Sequence, residues 1–193
     1  MIIRKYGIEL RSLTVSDLEQ VRGWRNDPFV RERMFFQDEI TQEDQKRWFS
    51  QLDDSSQYYI IVFDEVPIGV INVKSIDWKL RTGEAGIFIG VEEYRNSFVS
   101  MLAILCMMDA YFDAFDFTKL TAIIRADNVS AKRFNLDLGY QIDHEDAERI
   151  GVHITPSAYK EKTQNGNLGT ASLGKSPLET SLSAEESHLF LRK

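Results

Sequence analysis

The chain predicts an α/β protein on a mixed, mostly antiparallel sheet with helices on its flanks. Three observations predict it. Strand-length runs rich in β-branched and aromatic residues alternate with helix-length segments up to Thr155. Ala85–Val91 is almost continuously apolar, the pattern of a strand buried on both faces. A long segment from Asn96 or Ser97 to about Phe115 is apolar nearly all round, as a helix lying against a sheet would be.

The elements follow in order. Ile8–Leu13 alternates as a first strand. Ser16 and Glu19 stand at capping-box spacing and open a helix carrying Leu18, Val21 and Trp24, which Asn26, Asp27 and Pro28 stop. A short helix or turn covers Val30–Met34. Thr41 with Asp44 opens another helix, which carries Trp48, Phe49 and Leu52 to the core and ends at Asp53–Ser56. Tyr58–Phe63 and Ile68–Ile76 pair as an antiparallel hairpin across Asp64–Pro67. After Ala85–Val91 and the long helix come a strand at Leu120–Arg125, a helix at Ser130–Leu138 stopped by Gly139, and strands at Tyr140–Asp143 and Val152–Thr155. Residues 1–160 form one domain. Residues 161–193 read as a mobile Gly/Ser/Thr-rich tail, too poor in apolar surface to offset its ordering entropy, with one possible short helix at 183–192.

Composition narrows the function. Lys and Arg number 23 against 30 Asp and Glu, a net charge of −7, which argues against a general nucleic-acid binder. The single cysteine, Cys106, lies in an apolar run and reads as a core residue; no disulfide or thiolate metal site can be built from it. His144, His153 and His188 lack ligand spacing, so no metal is expected. Asp109, Asp113 and Asp116 read as a solvated acidic helix face. No signal peptide or membrane span is legible, and a cytoplasmic location follows.

The stretch Glu84–Tyr140 is the most informative. A strand leads to a turn that opens a helix, and a second strand ends near Asn128, before another helix. That layout suits a phosphate-bearing ligand at a helix N-terminus, beside a gap between two strands. Asn128 is well placed as a helix N-cap.

The order of elements and these residues resemble the GNAT acetyltransferase superfamily over about Ile8–Tyr159. Trp24, Arg25 and Asn26, then Val30, Arg31 and Met34, then Ile40, Thr41, Gln45, Trp48 and Phe49 resemble most the branch that acetylates nucleotide-linked amino sugars, with ribosomal-protein acetyltransferases as close relatives. The resemblance implies the GNAT fold, with a parallel strand pair splayed inside the sheet. It implies acetyl-coenzyme A as cosubstrate and a small-molecule amine as acceptor, in a monomer or homodimer. Arg95, Asn96, Ser97, Phe98, Val99 and Ser100 take the phosphate-loop position, with Ile89, Val91, Asn128 and Lys132 as further cofactor contacts. Arg95 matches the family pattern, whereas Phe98 and Ser100 stand where glycines are usual, so the Phe98 ring either crowds the cofactor or faces the core. Glu84 is implied as the base, with a solvated strand-start glutamate as the plain alternative. Asn135 stands where relatives often carry a Tyr as the acid; either that acid is dispensable, or another group such as Tyr140 serves, or catalysis is weak. Trp24, Arg25, Asn26 and Met34 are the implied acceptor contacts. Two alternatives remain: a GNAT-fold binding protein that does not acetylate, and a protein N-terminal acetyltransferase.

Overall fold

The computed structural model describes residues 1–95, 97–164 and 178–181. It opens with a hairpin that the sequence reading did not foresee, β1 (Ile2–Lys5) and β2 (Ile8–Ser12). Tyr6 and Gly7 form its two-residue turn with φ of 58° and 75°, the left-handed pair whose twist matches that of the strands. Helix α1 (Leu18–Asn26) begins after a 3₁₀ turn at Val15–Asp17. Its entry is organised by Asp17, not by Ser16 and Glu19. The Asp17 carboxylate accepts from the Thr14 N–H at 2.8 Å and from both Arg11 terminal nitrogens at 2.8 and 2.7 Å. Burial alone would raise the Asp17 pKa; Arg11 and Thr14 overcome it and hold the group below its ordinary value.

Asp27 caps the short α2 (Pro28–Arg31). Thr41 and Asp44 form the expected capping box of α3 (Gln42–Ser50). Strands β3 (Gln57–Phe63), β4 (Val66–Asp77) and β5 (Thr82–Ile89) run as a meander. Helix α4 (Phe98–Asp109) follows and passes into a π-helical turn at Ala110–Ala114. Then come β6 (Lys119–Arg125), α5 (Val129–Leu138), β7 (Gln141–Glu145), β8 (Arg149–Ile154) and α6 (Pro156–Gln164). Gly139, at φ 105°, ends α5 as expected. Within the stretch expected to be mobile, β9 (Glu179–Ser181) pairs with Ile2–Arg4; the proposed helix at 183–192 lies outside the described residues.

The sheet order is β7-β8-β6-β5-β4-β3-β2-β1-β9, and the β5–β6 pair is its parallel one. Strand alternation divides the core. Tyr59 and Ile61 of β3 and Ile71 and Val73 of β4 face α4, while Ile60 and Val70 face α1. Cys106 lies within the α4 layer, where burial pushes its thiol up to about 12. Among the described residues no helix is long and apolar enough to cross a membrane, and no three His, Cys, Asp or Glu gather as metal ligands.

Asp109 departs from the expected solvated face: it is 5% exposed. Its carboxylate binds the Lys5 ammonium and accepts from the Tyr6 and Tyr159 hydroxyls, each at 2.7 Å. The hairpin turn, the end of α4 and α6 are thereby joined at one charge. Removing it leaves a largely buried ammonium and two phenols without their acceptor. Asp109→Ala is therefore expected to lower the unfolding free energy by about 3 kcal/mol, read as a lower urea midpoint at unchanged slope. A loss under about 1 kcal/mol would show the network to be dispensable.

Candidate functional site

Strands β5 and β6 pair for three residues, Thr82 with Lys119, Gly83 with Leu120 and Glu84 with Thr121, and then part. Beyond the fork each strand is held on its far side. β5 stays on β4 as far as Ile89, and β6 stays on β8 as far as Arg125. The end of β5 is pinned by a bulge at which the Gly90 and Val91 N–H groups both donate to the Ile68 carbonyl, at 2.8 and 3.1 Å. Ile89 and Val91 flank that bulge. Trp24 lies flat on Gly90, where any Cβ would collide with the indole. Trp24 is thus a wedge holding the β5 terminus against α1.

On the α4 side of the fork lies a cavity of about 240 Å³. Ala85, Gly86 and Ile87 of β5 form one wall and Ala122 and Ile124 of β6 the other, with Asn135 and Tyr140 closing the end. Ser97 caps α4, its Oγ accepting from the Val99 N–H at 3.3 Å. Phe98 is 64% exposed, so its ring does not face the core. Val99 is buried. Ser100 lines the cavity and donates its hydroxyl back to the Ser97 carbonyl at 3.0 Å. Asn96 lies outside the described residues.

Several expected contacts are committed elsewhere. The Arg95 guanidinium donates to the Gly90 carbonyl at 2.7 Å, pairs with Asp27 at 3.0 Å and covers the Phe29 ring, bracing α2 against the β5 bulge. Lys132 is paired with Glu145 at 2.7 Å. Asn128 caps α5, its Oδ1 accepting from the Ala131 N–H at 3.1 Å, and also lines the cavity. The Asn135 amide donates to the Ala131 carbonyl at 2.8 Å. Tyr140 is 5% exposed; burial raises its pKa, and its hydroxyl makes no hydrogen bond within the described residues.

A second cavity, about 470 Å³, lies on the opposite sheet face under α1, α3 and the chain from Met34 to Ile40. Gly86 and Ile87 line both cavities, which lie on the two faces of the same stretch of β5. Cross-strand pairs pave this face in steps: Lys74 opposite Glu84, Asn72 opposite Gly86, Val70 opposite Phe88. Glu84 stands at the apex, with Lys74 Nζ 2.9 Å from its carboxylate. Met34 lines the mouth. Asn26 is bound to the Ile40 backbone by a donor at 2.9 Å and an acceptor at 2.8 Å, so it holds the covering loop and does not face the cavity's contents.

Arg25 is different. It lines the cavity, lies over the Phe88 ring at 5.9 Å, and its Nη1 is buried without a hydrogen-bond partner. Burial pushes its pKa down. The carboxylates nearby are engaged: Glu84 by Lys74, Asp44 by Thr41 and Arg47, Asp27 by Arg95. Asn72 and Gly86 were not picked out from the sequence. The available signal was a lone amide in the apolar strand Ile68–Val73.

A family profile described as the acetyltransferase (GNAT) domain matches residues 8–141. Among curated proteins none matches the sequence significantly. Several solved structures share the fold. An apo structure of FdhC, a nucleotide-linked sugar GNAT, superimposes with a TM-score of 0.74 at 21% identity, covering 90% of this chain and 99% of that one. Spermidine N-acetyltransferase from Vibrio cholerae, in complex with CoA and spermine, gives 0.72 at 16% identity over 79% of this chain and 98% of that one. A domain from Methanocaldococcus jannaschii gives 0.68 at 20% identity over 77% and 97%.

An uncompensated guanidinium in a half-buried cavity burdens the fold. Arg25→Met keeps the apolar stem and removes the charge. It is expected to raise the unfolding free energy by about 1 kcal/mol in urea titration. Destabilisation by this substitution would mean that Arg25 has a structural counterpart in the free protein.

Proposed function

The chain belongs to the acetyltransferase (GNAT) domain family, and from that premise we propose that it transfers acetyl from acetyl-coenzyme A to a primary amine on a nucleotide-linked amino sugar. The observation that carries the reading is the sharing of Gly86 and Ile87 by cavities on the two sheet faces, with Glu84 at the apex of the fork. A donor reaching in from the α4 side and an acceptor held under α1 would come together there.

The residues present fit acetyl-coenzyme A. The β6-facing edge of β5 beyond Glu84 has no strand partner, so its backbone groups are available to an amide-bearing pantetheine arm. The start of α4 offers the Phe98 and Ser100 backbone N–H groups to the diphosphate, the Val99 N–H being held by the Ser97 cap. When bound, acetyl-coenzyme A supplies the activated acyl thioester.

The remaining chemistry falls to this chain's residues. A free amine has a pKa near ~10 and arrives mostly protonated, so the site must take a proton. Glu84, oriented by Lys74, is the acceptor of that proton. The amine nitrogen forms the new C–N bond as the C–S bond breaks, and the sulfur leaves with its electron pair. Backbone N–H groups on the open edge of β5 face the oxyanion. Tyr140, kept protonated by burial, is the hydroxyl that can return a proton to the thiolate; Asn135 cannot.

The acceptor class rests on charge. A polyamine would need unengaged carboxylates, and those of this cavity are engaged, while Arg25 is left without a counter-ion. An acceptor carrying phosphate resolves that imbalance, and Trp48, Tyr58 and Phe88 offer flat surfaces to a sugar or base.

Acetyl-coenzyme A at ~100 times its dissociation constant is expected to stabilise the protein by about 2.7 kcal/mol in a thermal titration; no shift at millimolar donor would refute cosubstrate binding. With wild type releasing coenzyme A thiol in the presence of a nucleoside-diphosphate-linked aminohexose, Glu84→Gln is expected to slow release about 100-fold at neutral pH while keeping the donor-induced thermal shift. An unchanged rate would remove Glu84 as base.

A further inference from the structure

The acceptor face of the sheet offers a second recognition group beside the residues that line both cavities. Of its three cross-strand steps, Lys74 and Glu84 bind each other, and Val70 and Phe88 are apolar. The middle step, Asn72 opposite Gly86, pairs a polar side chain with a residue that has none. A Cβ on Gly86 would lie 3.0 Å from Asn72 Oδ1 and 3.5 Å from Nδ2. The amide therefore lies over the gap that the missing side chain leaves. It makes no hydrogen bond within the described residues, and Gly86 beneath it lines both cavities.

We infer that Asn72 holds the attacking amine of the acceptor, its Oδ1 accepting one amine N–H so that the lone pair faces the fork. The inference rests on the acceptor reading above. Asn72 and Lys74 are neighbours on one face of β4, ~7 Å apart along the strand, and Glu84 lies across from Lys74. An amine nitrogen with a hydrogen bond of ~2.9 Å on each side spans ~6 Å, so it can touch Asn72 while it faces Glu84. The chemistry of the side chain suits the task. A carboxylate here would favour the ammonium, which cannot attack; a cation would repel it. A neutral amide accepts from the free amine without selecting its protonated form. Gly86 leaves the amide in place, since any larger residue would push it aside.

The test uses the full chain, acetyl-coenzyme A, and a panel of nucleoside-diphosphate-linked aminohexoses with spermidine as comparator, read by coenzyme A thiol release. On the best wild-type acceptor, Asn72→Leu is expected to lower kcat/KM for the amine about 10-fold or more. The acetyl-coenzyme A thermal shift should stay at the wild-type value. Asn72→Asp preserves size and the accepting oxygen, so it covers the case in which the leucine variant folds poorly. It is expected to move the acidic limb of the kcat profile, which reports the bound complex, to higher pH, because a carboxylate beside the bound amine stabilises the ammonium. A residue that only fills space would leave that limb where it was. Wild-type kcat/KM in Asn72→Leu, or an unmoved limb in Asn72→Asp, overturns this inference alone. Wild type that acetylates no amine of the panel overturns the acceptor reading and this inference together.

Discussion

The structure depends on the abandonment of strand pairing after Glu84. A parallel ladder that stops after three residue pairs leaves backbone donors and acceptors without a ladder partner on two facing, half-buried edges. Each such group left unmet costs on the order of 1–3 kcal/mol, so the fork persists only because both strands are held from outside. β6 is fastened to β8 through six residue pairs, and β5 to β4 through a ladder ending in the doubly bonded Ile68 carbonyl. Trp24 on Gly90 and Arg95 on Gly90 and Asp27 lock that end to α1 and α2. The same geometry that is a liability for the free chain is an unfilled set of hydrogen bonds for an amide-containing ligand.

Charge follows the same logic on the other sheet face. Three arginines have different fates. Arg95 is consumed as a brace and Arg11 steadies Asp17, far from the cavities. Arg25 has the cavity on one side and an aromatic ring on the other, and the carboxylates of that cavity are engaged by other groups. A protein selected only for stability would not keep that arrangement.

What the sequence disclosed was decided by local physics, and what it concealed by long-range contact. The Thr41–Asp44 cap, the Gly139 stop and the alternating strands are local, and they stand where they were expected. The start of α1 was displaced because Asp17 answers to Arg11 across a strand, which no window of sequence contains. Asp109 looked like one of three solvated acids by helical spacing; two tyrosines and Lys5, distant in sequence, bury it. The candidate site shows the same division. Glu84, Arg25 and Met34, singled out through the family resemblance, line the cavity under α1 and α3, while Asn26, Arg95 and Lys132 are spent on partners that only the folded chain reveals.

Phe98 and Ser100 show how far residue type can stand in for geometry. Glycines in a phosphate-binding turn matter where the backbone needs φ > 0 or where a Cβ would strike the ligand. Here the turn is capped by Ser97 in an extended conformation, at φ −91°, and no described residue from Val91 to Ser100 takes a left-handed angle. The backbone requirement is therefore absent, and only the steric one is left. The Phe98 ring answers it by standing in solvent, and Ser100 by folding its hydroxyl back onto the Ser97 carbonyl. The N–H groups of the first turn of α4 keep their direction whichever side chains follow them. A loop that departs from a glycine pattern can thus keep backbone donors at a helix start, here those that the Ser97 cap does not take.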